Sequence, residues 1–155
     1  SRPRAARREG CDEPSQRAAG TVLHLDFLLE LAVRCGDRLV QTARRSQGGW
    51  SWNTLAVPEE QRRQDLLGFS HGTAGIGWVL LELHRQTGED RFREAAEGAF
   101  QYEAQYYSPQ QMNWPDFRGL YEQNQGTNQE PGFMVAWCHG AAGIGLSRLR
   151  ARPVA

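Results

Sequence analysis

His71-Gly72-Thr73-Ala74-Gly75-Ile76-Gly77 returns 68 residues later as His139-Gly140-Ala141-Ala142-Gly143-Ile144-Gly145, with six of the seven positions identical. That interval exceeds the ~34 residues of a common helical-repeat unit and holds one helical hairpin plus a long loop. Each copy opens a stretch of helical character. Glycine and alanine at a helix start remove the bulk that keeps neighbouring backbones apart, at a cost of up to ~1 kcal/mol for each interior glycine relative to alanine. That cost predicts close packing of several helix starts at a crowded centre. The fold class expected from the repeat is therefore all-α, as part of an α/α toroid whose repeats need their neighbours to bury a common core.

Outward from the first copy, Thr73 to Gln86 carries Ile76, Val79, Leu80 and Leu83 on one apolar stripe, and Gly88 reads as its stop signal. Glu89 to Tyr106 follows as a second helix, with Phe92, Ala95, Ala96, Ala99, Phe100 and Tyr102, and with acidic residues at its start, where the helix dipole favours them. The short link makes the two an antiparallel hairpin. Upstream, Leu25, Leu28, Leu29, Ala32, Val33, Leu39, Val40 and Ala43 recur at spacings of three and four, predicting a helix over 23–45. Gln47 to Pro58 reads as a loop anchored by Trp50 and Trp52, and the charged run Glu59 to Asp65 as solvated. Ser108 to Gly132 reads as a long loop with Trp114, Phe117, Leu120 and Tyr121 as anchors. Ser1 to Gly20 shows no apolar period, so residues 1–22 are expected to be a poorly defined leader and 23–155 the folded domain.

The 155 residues suit one domain or a piece of a larger one. No apolar run approaches the ~20 residues of a membrane span. Eighteen basic residues, all arginine, balance eighteen acidic ones, which removes the overall positive field that nucleic-acid or anionic-membrane binding uses. Three cysteines, Cys11, Cys35 and Cys138, are too few and too scattered for a disulfide framework, and no apolar signal segment opens the chain. A reducing, cytoplasmic setting is expected, with Cys11 and Cys35 as structural thiols.

A glycine-rich turn entering a helix also suits an anion, but Gly-x-x-Gly-x-Gly is neither the dinucleotide fingerprint nor the P-loop, and no strand is expected before it. His71 and the Cys138-His139 pair precede equivalent helix starts and are expected to project into one central region. Thiolate and imidazole are good zinc ligands, yet a catalytic zinc normally takes three protein ligands and keeps one position open. Without more, His71 reads as a helix-capping or packing histidine and Cys138 as a buried structural thiol. His24 and His84 read as surface or boundary histidines.

At these residues the sequence resembles the lanthionine cyclase family, most closely the cyclase portion of class II lanthipeptide synthetases, the LanM type. The resemblance covers roughly 28–150. It rests on Leu31-Ala32-Val33-Arg34-Cys35-Gly36-Asp37, Gly49-Trp50-Ser51-Trp52, Gly68-Phe69-Ser70-His71-Gly72-Thr73-Ala74-Gly75, Asn113-Trp114-Pro115-Asp116 and Trp137-Cys138-His139-Gly140. The resemblance implies an α/α toroid with a central zinc ion and addition of precursor-peptide cysteine thiols to dehydroalanine or dehydrobutyrine, giving thioether rings. It implies Cys138 as the first zinc ligand, His71 as the general acid or base, and His139 as a pocket residue beside the metal. Trp114 and Asp116 are expected to be structural.

The family's second cysteine motif would follow Cys138 by some tens of residues, so the resemblance implies a fragment, truncated at both ends, with two zinc ligands beyond Ala155 and a dehydratase portion upstream. Such a fragment is expected to be inactive alone. Asp12 does not reproduce the context of the family's catalytic aspartate. The alternative is a non-catalytic helical-repeat module that binds a peptide or thiol. A toroidal glycosidase or terpenoid cyclase lacks its carboxylate pair or Asp-rich motif here.

Overall fold

The computed structural model describes residues 14–61, 63–121 and 130–151. Cys11, Asp12 and most of the expected leader lie outside them. The chain falls into two compact units, Ser1–Arg34 and Cys35–Ala155.

Helix α1 spans Pro14–Thr42, beginning before the Leu23 start that apolar spacing predicts and ending before Arg44 and Arg45, which are extended instead. In the first unit Leu25, Leu28 and Leu29 of the expected stripe are exposed, as are Phe27 and Leu31 outside it, while Ala32 and Val33 are half-buried. Cys35, expected to be buried, is exposed as well.

In the second unit α2 (Thr73–Thr87) and α3 (Asp90–Ala104) form the predicted hairpin. Gly88 ends α2 at φ 73°, a left-handed conformation that suits glycine, and its N–H donates to the His84 carbonyl at 2.7 Å. Leu80 and Leu83 of α2 are buried, as are Phe92, Ala95, Ala96 and Ala99 of α3. Each large side chain among them contributes about 1.5–3 kcal/mol by leaving water. The alanines keep the helices close, and a Cβ on Gly77 would sit only 3.1 Å from the Ala99 Cβ. Val79, placed on the same stripe by its spacing, is exposed.

The segment expected to be a loop contains a hairpin, β1 (Arg44–Ser46) against β2 (Gly49–Ser51), antiparallel. Gly49 at φ 114° makes the turn. Trp50 lies on α3 at Gly98, where any Cβ would strike the indole, and the Arg45 guanidinium lies over its ring at 4.1 Å. Trp52 is buried and donates to the Leu39 carbonyl at 2.8 Å. The charged run does not stay wholly solvated: Asp65 is buried, accepting the Ser51 hydroxyl at 2.6 Å. A buried carboxylate needs such a donor, and Ser51 is brought to it by the hairpin.

A second core patch gathers Leu66, Leu67, Ala74, Tyr102, Phe117 and Ile144, with Tyr106 and Trp114 against it. Ile144 belongs to α4 (Ala141–Ala151), the helix opened by the second motif copy, which packs on α2. Within the long loop, Phe117–Tyr121 forms a 3-10 turn and Asp116 pairs with Gly132 through the backbone.

Candidate active site

Both motif copies turn into their helices in a similar way. Gly75 and Gly143 occupy equivalent places, and a Cβ on either would collide with the carbonyl oxygen six residues earlier, Phe69 or Trp137. Phe69 and Trp137 are themselves equivalent in the repeat. The first hydrogen bonds match too: Ile76 N–H donates to the Gly72 carbonyl at 3.3 Å and Ile144 N–H to the Gly140 carbonyl at 3.1 Å. Gly75 and Gly143 are thus explained by close backbone passage.

The free N–H groups that would make a helix start an anion site are largely taken. Thr73 and Ala74 donate to the Leu66 and Leu67 carbonyls at 3.0 and 3.1 Å. At α4, Ala141 N–H donates to Asn113 Oδ1 at 2.7 Å. Asn113 is buried and also donates to the Met134 carbonyl, so it ties the long loop to the start of α4. A phosphate-cradle reading has little left to stand on.

The two turns then meet. Ser70 N–H donates to the Cys138 carbonyl at 3.1 Å, which joins residues that the repeat makes equivalent. The His71 and His139 rings stack with centroids 6.1 Å apart and planes at 28°. Gly68 is the residue that permits this approach, since its Cβ would lie 2.6 Å from the Cys138 carbonyl oxygen and 2.8 Å from His139 Nδ1. His71 is exposed, Cys138 half-buried and His139 only 4% exposed. The Thr54 hydroxyl donates to the His71 carbonyl at 2.5 Å and fastens the turn to the loop after Trp52.

Burial holds the His139 imidazole below its ordinary range; the positive charge of Arg118 and the neighbouring His71 push the same way, and Asp116 opposes them. His139 is consequently neutral at physiological pH. For Asp116, burial acts upward, but hydrogen bonds and charge from Arg118 win and hold its carboxyl below the usual range. Arg118 grips it through Nε to Oδ1 at 2.9 Å and a terminal N–H to Oδ2 at 2.5 Å. Sequence reading placed Asp116 in a structural element and missed Arg118, although the Asp-x-Arg spacing was present. Trp114 does serve structure, donating its indole N–H to the Glu103 carbonyl at 3.1 Å.

A thiol and a neutral imidazole are zinc-type donors, but their number falls short. Among the described residues no group of three or more His, Cys, Asp and Glu side chains is placed to hold a metal ion. The described residues do not by themselves make a zinc site.

The family model for lanthionine synthetase C-like protein matches residues 23–154. The chain belongs to that family. No curated protein and no solved structure matches it. The family fold is an α/α toroid, and this mostly helical lanthionine synthetase C-like chain is compatible with part of one. Membership carries a cyclase-related or, more generally, LanC-like role, in a family that acts on peptide substrates. Among the described residues no helix is long and apolar enough to cross a membrane.

Proposed function

We propose that this chain is part of a zinc-dependent lanthionine cyclase of the class II type, a cytoplasmic enzyme that closes thioether rings in a dehydrated precursor peptide delivered by an upstream dehydratase portion. The observation that carries this reading is the meeting of the two motif turns, which sets His71 beside His139 and ties Ser70 to Cys138. In this proposal Cys138 supplies one zinc ligand and the remaining protein ligands come from outside the described residues. Zinc, when bound, would favour the thiolate form of the substrate cysteine, which is mostly protonated as a free thiol near neutral pH.

The chain's own residues then handle the proton. The substrate sulfur forms a bond to the β-carbon of the dehydro residue, the carbon–carbon double bond breaks, and an enolate is left. His71, exposed beside the turn, gives a proton to the α-carbon and regains one from the next substrate thiol, so the ring closes with no net change in composition. Imidazole suits this exchange because its ring nitrogens can both donate and accept a proton. His139, neutral and buried, forms the wall against which the His71 ring stacks.

The test uses the full-length protein containing this chain and a dehydrated precursor peptide. Because ring closure leaves the mass unchanged, it is read by loss of alkylatable thiol. His71→Ala is expected to slow closure by about 10²–10⁴-fold with zinc retained. Cys138→Ala is expected to lose zinc and closure together. Stoichiometric zinc and normal closure in Cys138→Ala would remove the proposal and favour the non-catalytic binding module.

A further inference from the structure

The two motif turns are equivalent in sequence but are closed differently. In the first, the Thr73 N–H donates directly to the Leu66 carbonyl at 3.0 Å. The residues 68 positions further on are Ala141 and Met134, and there a side chain stands between them. Asn113 Oδ1 accepts the Ala141 N–H at 2.7 Å, and Asn113 Nδ2 donates to the Met134 carbonyl at 3.1 Å. We infer that Asn113 is a positioning residue: its amide, inserted where the first copy has a backbone hydrogen bond, clamps both arms of the turn that carries Cys138 and His139 and so sets their place at the site. The inference rests on the proposed role of that turn and adds the residue that shapes it.

Three observations carry it. The amide spans the turn from outside: Met134 leads in, Ala141 leads out, and between them Ala136 and His139 exchange backbone hydrogen bonds at 3.0 and 3.3 Å around Trp137 and Cys138. The backbone differs from the first copy where the amide enters. Gly72 has φ −127°, whereas the equivalent Gly140 has φ 80°, and a Cβ there would collide with the Met134 carbonyl and lie 2.9 Å from Asn113 Oδ1. Finally, Asn113 is itself held firmly. It is 4% exposed, it exchanges backbone hydrogen bonds with Ser108 at 2.9 and 3.3 Å, and the next residue, Trp114, is tied to α3 through the Glu103 carbonyl. Met112, just before it, takes φ 48°, a left-handed conformation that a long side chain adopts only where its surroundings impose it.

A primary amide is what this set of partners requires. Oδ1 also accepts the Trp114 N–H at 2.8 Å, so the oxygen faces two donors and the nitrogen faces a carbonyl, which fixes the orientation of the group. Aspartate would keep the acceptor and set a second oxygen against the Met134 carbonyl. Alanine would leave the Ala141 N–H and the Met134 carbonyl without the bridge.

Hydrogen exchange followed by NMR on the 155-residue chain tests the clamp. In Asn113→Ala the Ala136, His139 and Ala141 amides are expected to exchange about tenfold faster or more, beyond the uniform factor that any loss of overall stability gives α2 and α3. The Thr73 and Ala74 amides, which close the first turn without Asn113, are expected to follow the uniform factor alone. In Asn113→Asp the Ala141 amide is expected to stay protected while Ala136 and His139 open, because only the Met134 arm is released; if Asn113→Ala does not fold, this split decides. In the full-length protein, Asn113→Ala is expected to lower kcat for ring closure by about 10–100-fold with KM within about twofold of the parent. Second-turn amides that change no more than Thr73 and Ala74, opening of Ala141 together with Ala136 in Asn113→Asp, or parental kcat in Asn113→Ala would each overturn the inference. If the exchange pattern is as expected while the full-length parent closes no rings, the cyclase reading falls and the clamp stands.

Discussion

Arg148→Ala is expected to cost about 3–5 kcal/mol of folding stability near pH 8 and much less near pH 5.5. Glu103 lies on α3 with 0% exposure, and its Oε1 accepts a terminal N–H of Arg148 on α4 at 2.8 Å. The same Arg148 nitrogen reaches the Phe100 carbonyl at 2.9 Å, and the guanidinium covers the Phe100 ring at 4.2 Å. Among the described residues Glu103 Oε2 has no hydrogen-bond partner. Burial pushes the carboxyl up to about 7, against the pull of Arg148, from an ordinary 4.5.

The sign follows from that direction. A carboxyl raised in the folded state is best tolerated when protonated, so its contribution is complete below about 4.5 and is lost as pH rises through about 7. Removing Arg148 takes away the charge and hydrogen bond that offset ionisation, so the carboxyl rises further and the deficit grows with pH. Urea unfolding of parent and variant at the two pH values measures it. Glu103→Leu combined with Arg148→Met should recover most of the loss at about pH 8, since no charge is left buried. A loss of equal size at both pH values would show that Arg148 acts by packing alone.

Gly75→Ala and Gly143→Ala are expected to destabilise by about 3 kcal/mol each, whereas Gly145→Ala should be neutral or stabilising by up to ~1 kcal/mol. At the first two positions the new methyl would strike a backbone carbonyl, and backbone cannot swing aside as a side chain can. At Gly145 nothing lies within 4 Å, so alanine's better helix propensity is all that changes. Thermal unfolding of the three variants checks the contrast. Equal effects at Gly143 and Gly145 would mean that the glycines matter for helix propensity and not for the passage of Phe69 and Trp137.

The repeat made much of this legible. Identical small residues at two helix starts announced close passage, and α2 begins at Thr73 as their position implied. The α2–α3 hairpin followed from apolar spacing and from Gly88. Spacing was silent where a partner distant in sequence decides the outcome. The helix expected from apolar spacing runs on to Arg45, yet Arg44 and Arg45 pair with β2, whose Trp50 packs on Gly98 of α3. Asp65 reads as one more charge in a solvated run until Ser51 is folded over it. The Glu103–Arg148 pair joins residues 45 positions apart. At the candidate site, the sequence named His71, Cys138 and His139, while the roles of Arg118 and Asn113 show only through their partners, Asp116 and the Ala141 N–H.

The account depends on the two motif turns being neighbours, and solution NMR of this 155-residue chain tests that most directly. Nuclear Overhauser contacts are expected from the Ser70 amide to the Cys138–His139 backbone, and between the His71 and His139 side chains. Well-resolved signals for all four residues with no such contacts, and with a Ser70 amide that exchanges with solvent as freely as an unbonded one, would contradict it.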